Sequence, residues 1–145
     1  MLVSTRGRYA IRVMIDLAEH CNGEYVPMKT VAERQKLSLK YIERIMPVLA
    51  KNNLVEGVHG KGGGYRLTRK PNEYKIGEIL RLTEGDLAPV SCLECNAEKC
   101  ERAAECKTLP MWKGFHDLSN KYFDSITLED LIKGNLKTSF SVNLN

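Results

Sequence analysis

No stretch of this 145-residue sequence holds the roughly 20 consecutive apolar residues that a membrane-spanning helix needs. An apolar leader is missing as well. Arg6, Arg8 and Arg12 fall where a signal peptide would carry its hydrophobic run, so a soluble cytoplasmic protein with no membrane partner is expected. In that reducing compartment disulfides do not persist, which excludes a disulfide-stapled fold. Histidine is scarce: His20, His59 and His116 lie in unrelated segments, and no nucleophile motif appears. An enzyme with a small-molecule substrate is therefore not expected. Cysteine is scarce too, five residues in all, yet four of them crowd into one short window.

Those four are Cys92, Cys95, Cys100 and Cys106, in the spacing C-x2-C-x4-C-x5-C. Four soft thiolates on one segment suit zinc or an iron–sulfur cluster and offer hard cations nothing they prefer. Cys92 and Cys95 form a CxxC knuckle, whereas Cys100 and Cys106 are wider apart than a second zinc knuckle normally allows. Spacing alone leaves three readings open: a cluster, a structural zinc site, or a thiol redox switch without metal. The fifth cysteine, Cys21, falls at the end of a helical stretch and reads as a packing thiol.

Charge is unevenly spread. Residues 1–80 carry 14 Lys and Arg against 8 Asp and Glu, while residues 81–145 carry 8 against 10. A basic first half joined to a mildly acidic second half points to a nucleic-acid-binding module attached to a part that avoids phosphate.

Within the basic half, Ser4 and Thr5 can cap a helix whose apolar positions Ala10, Ile11, Met14, Ile15, Leu17 and Ala18 recur at helical spacing up to Asn22-Gly23. A short helix over Met28 to Gln35 follows Pro27. Lys36-Leu37-Ser38 then breaks the chain before a third helix from Leu39 to about Asn52. Two short helices across a tight turn predict a helix-turn-helix. In the third helix Ile42, Ile45, Met46 and Leu49 form an inward stripe, and Lys40, Glu43, Arg44, Pro47 and Lys51 face the other way. With Ser38 expected as N-cap, this has the form of a recognition helix. Lys40, Tyr41, Glu43 and Arg44 would then reach phosphates or base edges of double-stranded DNA. Pro47 removes the hydrogen bond to the Glu43 carbonyl and predicts a bend.

Leu54 to His59, a Gly-rich run from Gly60 to Gly64, and Tyr65 to Thr68 read as strand, turn and strand. A phosphate-cradling nucleotide loop would run into a helix, so the glycines are read as the tip of a wing. His59, Lys61 and Arg66 lie close to that tip. Ile76 to Thr83, closed by Gly85, adds one more helix. The expected fold class is mainly α with a small β-hairpin: a winged helix-turn-helix over residues 1–84.

From 85 to 109 periodicity vanishes, and all four clustered cysteines lie there. A loop of that length calls for a reason, which ligation of a metal centre would supply. Pro110 then opens a helix in which Met111, Phe115, Leu118 and Tyr122 make an apolar seam, with Trp112 and Phe123 alongside. Such a seam wants a partner helix, so residues 110–133 are expected to hold a dimerisation helix and a short capping helix. A homodimer also doubles the number of base pairs read, which implies a palindromic operator. Residues 134–145 read as a flexible tail.

Ser4-Thr5-Arg6-Gly7-Arg8-Tyr9-Ala10, Ala32-Glu33-Arg34-Gln35, Asn53-Leu54-Val55, the G-x-G-G-G-Y of Gly60 to Tyr65, and Ile126-Thr127-Leu128-Glu129-Asp130-Leu131 together resemble the Rrf-type transcriptional regulators. The likeness is greatest to their IscR branch and runs over about residues 2–132. It implies a homodimeric repressor or activator that carries an iron–sulfur cluster, expected as two-iron two-sulfur, and governs genes of cluster assembly, cysteine metabolism or oxidative stress. Cys92, Cys100 and Cys106 stand in the places of the family's three cysteine ligands. Leu109 stands where the IscR branch has a histidine, so Cys95 is the expected fourth ligand. A nitric-oxide-sensing branch takes an aspartate from its first helix, where this chain has Arg8, which cannot ligate. Arg6, Ser38, Tyr41 and Glu43 belong to the stretches shared with the family. Lys40, Arg44 and His59 depart from the IscR residues, which implies a different operator.

Overall fold

The computed structural model describes residues 2–136. Among these described residues, six α-helices and one hairpin follow in the order α1 (Thr5–His20), α2 (Met28–Gln35), α3 (Leu39–Lys51), β1 (Val55–Val58), β2 (Gly64–Leu67), α4 (Ile76–Glu84), α5 (Leu109–Ser125) and α6 (Leu128–Lys133). Single 3-10 turns cover Pro71–Glu73 and Ser91–Leu93. Among the described residues, no helix is long and apolar enough to cross a membrane. The tail expectation rests mostly on residues 137–145, which lie outside the described residues.

The helices start and stop where local chemistry dictates. Ser4 caps α1, its side chain accepting from the Arg6 amide at 3.1 Å. α2 ends at Lys36, which adopts a left-handed conformation (φ 53°) so that the Leu37 amide can reach the Ala32 carbonyl. That reversal makes the tight turn of the helix-turn-helix. Ile42, Ile45, Met46 and Leu49 of α3 are fully buried, contributing about 8 kcal/mol of gross transfer free energy at roughly 2 kcal/mol per side chain. The helix runs through Pro47 without interruption, with the proline on its exposed face.

The hairpin is antiparallel, with Val55 opposite Leu67 and Val58 opposite Gly64. Gly60 (φ 94°) and Gly62 (φ 76°) hold left-handed conformations in the connecting turn, which residues with a side chain rarely adopt. Val26, between α1 and α2, exchanges two backbone hydrogen bonds with Tyr65 and makes a third, one-residue strand beside the wing. The wing root is fastened by Tyr74, which is fully buried. Its hydroxyl donates to the Leu54 carbonyl at 2.7 Å and accepts from the amides of Thr68 and Arg69 at 3.0 and 2.9 Å.

α4 packs against α1, α3 and α5. At its foot, Glu84 accepts from the Ser4 amide (3.1 Å), the Ser4 hydroxyl (2.6 Å) and the Gly7 amide (2.8 Å), clamping the start of α1. A Cβ on Gly7 would stand 2.4 Å from the Glu84 carboxylate, so the clamp needs glycine there. α5 is joined to α4 by Arg81, which donates to Asn120 at 2.9 Å and to Asp124 at 2.5 Å. The chain then returns: Leu128 donates to the Tyr74 carbonyl and Ile76 to the Ile126 carbonyl, both at 3.0 Å, which sets α6 against the winged-helix module.

Candidate functional site

The residues singled out by the sequence fall mainly on two surfaces. The first is the outer face of α3 with the wing. Lys40, Glu43 and Arg44 are exposed on α3, Arg6 is exposed in the first turn of α1, and His59 and Lys61 are exposed at the wing tip. Tyr41 is placed differently. Half-buried, it packs edge-on against Tyr9 with ring centroids 5.3 Å apart, so its ring seats α3 on α1. Ser38 occupies the N-cap position, but its side chain makes no capping bond. Its carbonyl closes the first turn instead, accepting from Tyr41 and Ile42 at 3.0 and 3.1 Å.

Asp16, buried within α1, was not singled out by the sequence reading. It accepts from Arg34 at 2.5 to 3.2 Å and from Gln35 at 2.9 Å, which fixes α2 relative to α1. Burial pushes its carboxyl up, but the hydrogen bonds from Arg34 and Gln35 prevail and hold it below 3.8. The available signal was its place on the inward stripe of α1, three residues after Val13.

The second surface is the cysteine loop, which starts beyond the Gly85 cap of α4 and ends where α5 begins. Cys92 rides on the 3-10 turn Ser91–Leu93, and Cys106 lies just before α5. These two and Cys100 line one largely apolar cavity of about 300 Å³ with Leu93, Ala103 and Leu109. Cys95 lines a neighbouring cavity of about 290 Å³ with Arg81, Gly85, Asp86, Glu94 and Asn96. There its amide donates to Asp86 at 2.5 Å, and the other Asp86 oxygen accepts from Ala88 at 2.8 Å.

The Cys95 amide holds the Asp86 carboxyl below the usual aspartate range, and the hydrogen bond to Asp86 pushes the Cys95 thiol up. Cys106 shifts the other way, lowered first by the Thr108 hydroxyl 3.4 Å from its sulfur. All five cysteines are free thiols. Among the described residues, no three of His, Cys, Asp and Glu already converge on one point that could grip a metal ion. The donor set nevertheless fits a thiophilic centre: three soft sulfurs, none in a disulfide, on one largely apolar cavity.

The model of a family described as "Iron-dependent Transcriptional regulator", Rrf2, matches residues 3–134. The chain belongs to the Rrf2 family. Among curated relatives, the HTH-type transcriptional regulator IscR of Pectobacterium atrosepticum is 33% identical over 132 residues, covering 91% of this chain and 79% of that protein. Among solved structures, CymR, titled the global cysteine regulator of B. subtilis, is 33% identical with a TM-score of 0.75, covering 92% of this chain and 98% of that one. The T. potens IscR structure is 33% identical with a TM-score of 0.70, covering 97% and 93%. This Rrf2 protein is thus a DNA-binding transcriptional regulator with the expected winged-helix architecture.

The apolar seam of α5 is largely uncovered. Met111, Trp112, Phe115 and Leu118 are 58, 36, 44 and 41% exposed, while Tyr122 is half-buried beside Phe123. Ser119 is the helix's one buried residue. A row of large apolar side chains left facing water at that spacing is the mark of an interaction face.

Proposed function

We propose that this Rrf2 regulator binds a palindromic double-stranded operator as a homodimer, and that an iron–sulfur cluster held by the cysteine loop modulates the binding. The observation that carries the proposal is the gathering of Cys92, Cys100 and Cys106 around one cavity within the loop that leads from α4 into α5. Those three thiolates would hold the cluster, with Cys95 as the fourth ligand in preference to Leu109, whose side chain has no donor. When bound, such a centre supplies a redox-sensitive charge that draws thiolates together.

The chain's own residues convert that into a change at DNA. Tightening of the loop shifts Cys106, three residues before the start of α5, and Cys92, on the segment that leads away from α4. α5 carries the uncovered seam through which a second copy would pair. α4 packs on both α1 and α3, so the angle between α4 and α5 sets the separation of the two reading helices in a dimer. Arg6, Ser38, Lys40, Arg44, His59 and Lys61 would meet phosphates or base edges, and Glu43 would select among bases by accepting from cytosine N4. Tyr41 would support that face from behind.

A second reading has an observation of its own. The Cys106 thiolate favoured by Thr108, five free cysteines and the likeness to a cysteine regulator also suit a thiol switch without metal. Anaerobic purification separates the readings. Brown protein with matched iron and sulfide supports the cluster. Colourless protein with stoichiometric zinc supports a structural site, and protein with neither supports the thiol switch.

A further inference from the structure

The foot of α4 holds two acidic side chains with different grips. Glu84 holds the first turn of α1, where Arg6 stands, through three hydrogen bonds. Asp86, just past the Gly85 cap, holds the Cys95 and Ala88 amides. Its carboxylate therefore closes the segment that carries Cys92 and keeps Cys95 in a cavity apart from Cys92, Cys100 and Cys106. Arg81, on the wall of the same cavity, ties α4 to Asn120 and Asp124 of α5. The loop, α4 and α5 thus meet at one node, two residues from the clamp on α1.

From this geometry we infer that Asp86 is a positioning residue: a latch that holds Cys95 at the foot of α4 and must release it before Cys95 can join the three-thiol cavity. The inference rests on the proposed function for the role of Cys95 as a ligand, while the latch contact stands on its own. Recruitment of Cys95 then breaks the Asp86 contact and pulls on the residue pair Glu84 and Asp86, so that ligation at the loop is felt at the start of α1. An unlatched loop would still bind, but the DNA-reading half would no longer register it.

Asp86→Ala tests this in the full-length chain, with Asp86→Asn, which keeps the shape of the side chain, as the second variant should the first lose its helical circular dichroism. In metal-free protein, amide exchange measured by NMR should speed up roughly fivefold at Cys95 and Ala88, the factor a hydrogen bond of ordinary net strength contributes. The Leu93 amide, bonded to the Val90 carbonyl at 3.1 Å, should be unchanged. Unaltered exchange at Cys95 overturns the latch. With cobalt(II) as the probe under anaerobic conditions, Asp86→Ala should bind about fivefold more tightly, by the same factor, with the gain absent in a Cys95→Ala background. A gain that persists without Cys95 shows that Asp86 does not act through that thiol. Finally, the ratio of operator affinities before and after cluster loading should collapse towards one in Asp86→Ala. A wild-type ratio of one overturns the proposed function together with the coupling, whereas a variant that keeps a wild-type response overturns the coupling alone.

Discussion

Tyr74→Phe removes one oxygen from the root of the wing and leaves the ring, with the Arg69 guanidinium 4.4 Å from its centre, in place. That oxygen serves three backbone partners within 3.0 Å: the Leu54 carbonyl and the Thr68 and Arg69 amides. The Thr68 amide also reaches the Leu54 carbonyl at 3.4 Å, so those two groups retain each other when the hydroxyl is gone. The Arg69 amide keeps no such partner. At about 1 kcal/mol net for each hydrogen bond lost, with a further charge for the orphaned amide, the loss should be about 2 to 3 kcal/mol. For a chain of this size that is roughly 5 to 10 °C in Tm. In urea, with m about 2 kcal/mol/M, the midpoint should fall by about 1 M at fixed protein concentration. A fall smaller than about 0.3 M would refute the view that this hydroxyl fastens the wing, because relaxed backbone or water would then be satisfying all three groups.

Asp16→Asn should cost about 2 kcal/mol, less than a fully buried pair because Arg34 is 30% exposed and water can take up its freed charge. Since the folded carboxyl lies below 3.8, its contribution is complete above the unfolded value and is lost as pH falls through the folded one. Wild-type stability should therefore drop on acidification below about pH 4, and the variant's pH profile should lack that component in urea titrations. Phe115→Glu places a charge in the α5 seam and should give monomers at micromolar concentration by sedimentation velocity; an unchanged dimer would move the interface elsewhere. Glu43→Ala should broaden the set of sites recovered from a randomised operator pool, and unaltered selectivity would remove Glu43 from base readout.

What could be read from the sequence is what depends on near neighbours. Apolar spacing, Pro27, the Lys36–Ser38 break and the Gly85 stop fix the four helices of the winged module to within a residue or two, and the Gly-rich run marks the wing. The uncovered seam of α5 follows equally from the spacing of Met111, Phe115 and Leu118. Contacts between residues far apart in the chain left no such trace. The Val26–Tyr65 and Lys75–Thr127 bridges, the Asp16–Arg34 pair and the Glu84 clamp each depend on where a distant segment lands. The cysteine loop shows the limit most clearly: spacing pairs Cys92 with Cys95 as a CxxC knuckle, whereas the fold turns Cys95 towards Asp86 and places Cys92 with Cys100 and Cys106 on a shared cavity.

The most direct test of the central claim is fluorescence anisotropy on a labelled operator, with one anaerobic preparation measured after reconstitution and again after the iron has been stripped and assayed. The account predicts that affinity changes with loading and that Cys92→Ala, which removes one of the three gathered thiols, abolishes the change while leaving the stripped protein's affinity as in wild type. Identical affinities for loaded and stripped wild-type protein would contradict it.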